Sequence, residues 1–148
     1  MLKRLTVVLL VGLSLAACER VDPNSPLGQR KAIFKQMLKT SEDMGGMLRG
    51  RLPFDAAKFA EGAARLDGLA HAPWQYFPQA KDEGDSNARA EVWERQARFQ
   101  ALARQLEGVT GELVGVIRTQ PLEAAQLKAP MDSVEAACRA CHSEFRNH

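Results

Sequence analysis

Apolar residues return every three or four positions along most of this chain, and no stretch alternates in the two-residue period of a strand. After Leu27 the pattern runs through Ile33, Phe34, Met37, Leu38, Met44, Met47 and Leu48, a first helix that Gly50 and Pro53 should stop. A second amphipathic run opens near Pro53-Phe54-Asp55, carries Ala57, Phe59, Ala60, Ala63, Ala64, Leu66 and Leu69, and closes at Pro73. The third is predicted from Asn87 to Thr119, with Val92, Trp93, Ala97, Phe99, Leu102, Leu106, Val109, Leu113 and Val116 facing inward. Pro121 breaks it. The fourth begins at Pro130 or slightly later and runs to the C-terminus, with Leu122 to Leu127 either a loop end or an extra helical turn.

One stretch resists this period. Residues 72–88 hold Trp74, Tyr76, Phe77 and a polar run, which is long for a connection in a bundle. A crossover that packs its aromatics over a core or a ligand explains both features. The prediction is therefore an all-α, antiparallel four-helix bundle over residues 27–148, with a cofactor in its interior. No internal repeat is visible.

The N-terminus has a different composition. Lys3 and Arg4 precede the apolar run Leu5 to Leu13, which is too short to span a bilayer comfortably. Leu15-Ala16-Ala17-Cys18 then resembles a bacterial lipobox. Residues 1–17 are read as a lipoprotein signal peptide, Cys18 as the lipidated first residue, and 18–26 as a flexible tether. Glu19 after that cysteine implies sorting to the outer membrane, facing the periplasm. An ordinary signal peptide cleaved nearby is the alternative. The mature chain would keep eighteen basic and eighteen acidic residues, because Lys3 and Arg4 account for the formal excess of +2. Basic side chains are scattered, which argues against a nucleic-acid partner.

The chemistry lies near the end, in Cys138-Arg139-Ala140-Cys141-His142. Two thiols at this spacing can add across the two vinyl groups of a haem, and the adjacent histidine is then held against the iron. On a helix, positions i, i+3 and i+4 share one face, as this chemistry requires. A redox C-x-x-C expects a βαβ setting that the chain lacks. A zinc site needs about four ligands, and His71 and His148 are poorly placed to complete one. Haem c attached through Cys138 and Cys141, with His142 as axial iron ligand, is the expected cofactor. Cys18 goes to lipid, so no thiol remains for a disulfide.

Taken in order, Arg30 to Met37, Gly50 to Asp55, Phe77-Pro78, Val92-Trp93, Phe99 and the C-terminal motif with Phe145-Arg146 resemble the class II c-type cytochromes, specifically the cytochrome c′ type. The resemblance spans about residues 27 to 147. It implies that the distal position, four residues after the first-helix arginine, is Phe34. Low-spin members carry methionine there and act as electron carriers; an apolar residue leaves the iron five-coordinate and high-spin. Met37 is the competing ligand, although five-coordinate relatives also have methionine at the matching position, packed near the haem.

The resemblance further implies a propionate contact for Arg30 and a place beside the proximal pocket for Arg146. Lys31 departs from the polar residue common in relatives. The expected function is binding of small gaseous ligands (nitric oxide, with carbon monoxide less readily), chiefly nitric oxide scavenging in the periplasm. The alternative is an electron carrier with six-coordinate haem. Either role needs a periplasmic electron donor, and the expectation is a haem ligand-binding or electron-transfer protein rather than an enzyme. The resemblance also implies a homodimer through the first two helices, where Ala60, Ala63 and Ala64 permit close contact or else face the chain's own core.

Overall fold

The computed structural model describes residues 21–79, 84–119 and 122–147. Cys18, the apolar leader and the first residues of the tether lie outside them. Among the described residues are five α-helices: α1 (Pro26–Leu48), α2 (Ala56–Ala70), the single turn α3 (Glu91–Glu94), α4 (Gln96–Thr119) and α5 (Ala124–Phe145), with a 3-10 turn at Trp74–Tyr76. The four long ones form a ring in which α1 packs on α2 and α5, and α4 packs on α2 and α5. This is the expected four-helix bundle.

Local chemistry sets each boundary. Ser25 caps α1 by accepting from Gly28 N at 3.0 Å, and Pro26 occupies the first turn, where its missing N–H costs nothing. The end of the expected tether is a hydrogen-bonded turn, with Ser25 N donating to Asp22 O at 3.0 Å. At the other end, Gly50 takes φ of +73° just beyond the Arg49 cap, and Arg51 N and Leu52 N return to Gly46 O. Asp55 caps α2 by accepting from Lys58 N at 3.0 Å.

Two predicted boundaries change. The third helix does not run unbroken from Asn87. Arg95 sits at φ −121° and ψ 48°, dividing α3 from α4. Its guanidinium reaches Glu144 Oε2 at 3.0 Å and lies over the Phe145 ring, tying the break to α5. The backbone of 87–89 is used elsewhere: Arg89 N donates to Phe145 O at 2.9 Å and Asn147 N to Asn87 O at 2.8 Å. Ala88 thereby forms an antiparallel bridge with Arg146.

The fourth helix starts at Ala124, not near Pro130, which lies inside it. Proline forfeits one backbone bond in a helix interior. The burial of Leu127 and Met131 on either side of it shows why the helix persists: both continue the stripe that ends in Val134 and Ala137. Of the three α2 alanines considered for a dimer contact, Ala63 is buried in the core, Ala60 is half-buried and Ala64 is exposed.

The core has two parts. The larger gathers Met37, Met44, Phe59, Leu66, Leu106, Leu113, Leu127, Met131 and Val134. The smaller joins Val92, Phe99, Leu102 and Phe145. The pentapeptide on α5 stands between them, with Cys138 packed against the first and Cys141 against the second.

Candidate functional site

Along α5, Leu127, Met131, Val134, Cys138, Cys141 and Phe145 recur at steps of three and four, so both thiols belong to the helix's inward stripe. Two cavities open beside them. One, of about 340 Å³, is lined by Arg30, Phe34, Trp74, Phe77, Phe99, Cys141, His142, Phe145 and Arg146, among others. The other, of about 280 Å³, is lined by Phe34, Met37, Leu66, Trp74, Leu106, Cys138, Cys141 and His142, among others. They meet along a shared set: Phe34, Leu38, Trp74, Cys141 and His142. Every residue predicted to touch the cofactor therefore lines one or both.

Burial holds both thiols toward the protonated form. Burial pushes Cys141 up to about 11, with Cys138 and Glu144 adding to the effect. Burial raises Cys138 as well, and Glu135 contributes. A redox-active C-x-x-C works through a depressed thiol, the opposite of this environment. No cluster of three or more His, Cys, Asp or Glu side chains placed to hold a metal ion occurs among the described residues.

The two cavities differ in charge. The larger has Arg30, Lys31, Lys35 and Arg146 in its wall and no carboxylate. Arg30 is 3% exposed, donates to Tyr76 O and Ser86 Oγ at 3.1 Å each, and lies 4.6 Å over the Phe77 ring. Lys31 pairs with Asp85 at 3.3 Å. Arg146 is exposed, but its backbone is pinned by the bridge to Ala88. The smaller cavity has the mixed rim Glu42, Arg49, Glu135 and Arg139, in which Arg49 pairs with Glu135 at 2.9 Å.

Aromatic rings make the wall between these ends. Phe34 meets Trp74 and Phe77 edge-on at 6.1 and 6.4 Å, Phe77 meets Phe99 at 4.9 Å, and Phe99 meets Phe145 at 5.3 Å. The long connection thus packs its aromatics over the site, as its composition suggested. Met37 lines only the smaller cavity and is 6% exposed within the main core.

Outside the cavities, Glu144 clasps α5 to the start of α4, accepting from Arg98 at 2.6 Å and Arg95 at 3.0 Å. Sequence reasoning missed this clasp, because a lone Glu two residues past a histidine carries no signal of its own. The Arg98 hydrogen bond, followed by the charges of Arg98 and Arg95, holds the Glu144 carboxyl below the usual range. Its stabilisation is present above the unfolded carboxylate value and is lost as pH falls through the lowered folded one. Thermal unfolding of wild type and Glu144→Gln should therefore differ at pH 7, with the gap closing below about pH 4. An equal gap at pH 3 would show that the clasp acts through something other than charge.

The family model for cytochrome c′ matches residues 25–146. This chain belongs to the cytochrome c′ family. A cytochrome c′ from Rhodopseudomonas palustris is 32% identical over 121 residues, covering 81% of this chain and 80% of that protein. The cytochrome c′ structure from Shewanella frigidimarina superposes with a TM-score of 0.79 at 26% identity, covering 86% of this chain and 98% of the other. A variant of the Alcaligenes xylosoxidans cytochrome c′, solved as a nitric oxide complex, shares the fold at 24% identity and a TM-score of 0.75, covering 84% of this chain and 98% of that one.

Members of the cytochrome c′ family carry covalently bound haem c, and the donor set here fits it. Two protonated thiols lie one helical turn apart on an apolar stripe. An imidazole adjoins them. The slot they face is apolar in its middle and cationic at the end away from Cys138.

Proposed function

We infer that this cytochrome c′ holds its haem through thioethers from Cys138 and Cys141, with His142 as the proximal axial ligand, and that it binds nitric oxide at the opposite axial position. Each thiol would add across one vinyl group, the sulfur bonding to one carbon and the proton passing to the other. The haem supplies a redox-active iron with one axial position to fill.

The observation that carries the reading is the set shared by both cavities. Besides Cys141 and His142, that set consists of Phe34, Leu38 and Trp74. A phenyl ring and a branched alkyl group have no lone pair to give a metal, and an indole nitrogen is a donor only. Met37, the one thioether nearby, is committed to the core with Leu66 and Leu106. Its role is packing. The iron is then five-coordinate and high-spin, shielded by the Phe34 ring.

Such a wall selects by size and by strength of bonding. A ligand must push the ring aside, so one that binds ferrous iron strongly gains most. The nitric oxide complex of the A. xylosoxidans protein is consistent with this choice. The leader, the lipobox-like Cys18 and the consumption of the other two cysteines by haem support a periplasmic protein on a lipid anchor. No helix among the described residues is long and apolar enough to cross a membrane.

The absorption spectrum of the purified ferrous protein tests the reading. A five-coordinate high-spin spectrum is expected, unchanged by Met37→Ala. A low-spin six-coordinate spectrum that Met37→Ala converts to high-spin would establish the electron-carrier alternative instead.

A further inference from the structure

The indole Nε1 of Trp74 is buried and has no hydrogen-bond partner among the described residues. We propose that this N–H donates to a haem propionate, making Trp74 a positioning residue for the cofactor alongside Arg30. The proposal rests on haem attachment and is independent of whether the iron is five-coordinate.

A buried donor left unsatisfied costs about 1–3 kcal/mol, and buried tryptophan N–H groups usually find a partner. The other tryptophan obeys this rule, since Trp93 Nε1 donates to Pro78 O at 2.8 Å. Trp74 has little freedom to seek one. Its ring stacks on Phe77 at 6.5 Å with an interplanar angle of 21°, and meets Phe99 and Phe34 edge-on at 5.8 and 6.1 Å. The neighbours that fix the indole are hydrocarbon rings, which offer no oxygen or nitrogen acceptor.

The acceptor is identified by charge. Arg30, Lys31, Lys35 and Arg146 line the cavity that Trp74 shares with Arg30, and no carboxylate does. The charged side chains of that wall are all cationic, which calls for an anion. Haem brings two carboxylates, on the porphyrin edge away from the vinyl carbons that take the thiols. Cys141 borders both cavities and Cys138 only the smaller, so the cationic cavity lies farther from Cys138 and is the one suited to the carboxylates. Trp74 and Arg30 both pack against the single ring of Phe77, which brings the two donors to one region. A neutral diatomic gas would be a far weaker acceptor than a carboxylate.

The test uses the haem-loaded protein and Trp74→Phe, which keeps an aromatic ring and removes the N–H. A donor to the ionised carboxylate favours ionisation, so its loss should move the pH at which the haem potential breaks upward by about one unit. Propionate bending modes in the resonance Raman spectrum should shift with it, while the stretching frequency of bound carbon monoxide stays put. An unmoved break, or a shift confined to the carbon monoxide band, would overturn the proposal; the latter would place the N–H on the gas-binding side. Should Trp74→Phe fail to incorporate haem, the wild-type indole N–H band decides. It should report a strong hydrogen bond that weakens as the propionate protonates in acid, against the constant contribution of Trp93, and a band insensitive to pH would refute it.

Discussion

Replacing Cys138 and Cys141 together with alanine is expected to yield a chain with no haem staining after denaturing electrophoresis and a Tm lower by about 10 °C or more. The first effect follows from chemistry, since no other thiol among the described residues can form a thioether. The second follows from packing. The site is flanked by cavities of about 340 and 280 Å³, whose walls are aromatic and aliphatic side chains. A dry void costs about 24 cal/mol per Å³, which for either volume approaches the roughly 5–15 kcal/mol that holds a whole domain together. These cavities open to solvent, so water relieves much of that cost and a loss of about 2–4 kcal/mol is a fairer expectation. Haem stain that survives the double replacement, or an unchanged Tm, would mean that the cofactor is held elsewhere or is not part of the core.

Phe34→Ala carries the second large effect. The rate at which carbon monoxide binds the ferrous protein, measured by flash photolysis, should rise about 10- to 100-fold. Phe34 makes two edge-on ring contacts, with Trp74 and Phe77, which an entering ligand must disturb. Such pairs contribute about 0.5–1.5 kcal/mol each beyond area burial. Breaking both costs about 1–3 kcal/mol, and each 1.36 kcal/mol in a barrier is tenfold in rate. A rate within twofold of wild type would show that the ring does not stand in the ligand's path, and the distal assignment of Phe34 would fall.

Much of this site could be read without coordinates, for a physical reason. Covalent attachment demands a fixed spacing of thiols and imidazole, and spacing is what a sequence displays. Phe34, Met37, Arg30 and Arg146 were found through family resemblance, and all four line the cavities. What stayed hidden depends on tertiary geometry. The break at Arg95 is bound up with Glu144 and Phe145, residues some fifty positions away. Pro130 misplaced the start of α5, because proline's local cost was weighed without the burial that outweighs it. The missing partner of Trp74 is invisible in sequence, where every tryptophan looks alike.

Helix α5, which carries both thiols, follows α1, α2 and α4 in chain order, and that order has a consequence for assembly. Helices α1, α2 and α4 emerge from synthesis first, yet the apolar surfaces of Phe34, Met37, Leu66 and Leu106 converge on a cleft that only α5 borders with its thiols. Until α5 arrives, those surfaces have nothing of the right shape to close upon. Closure of the other three helices should therefore wait on α5, and a chain cut ahead of Ala124 would leave them around an open hollow.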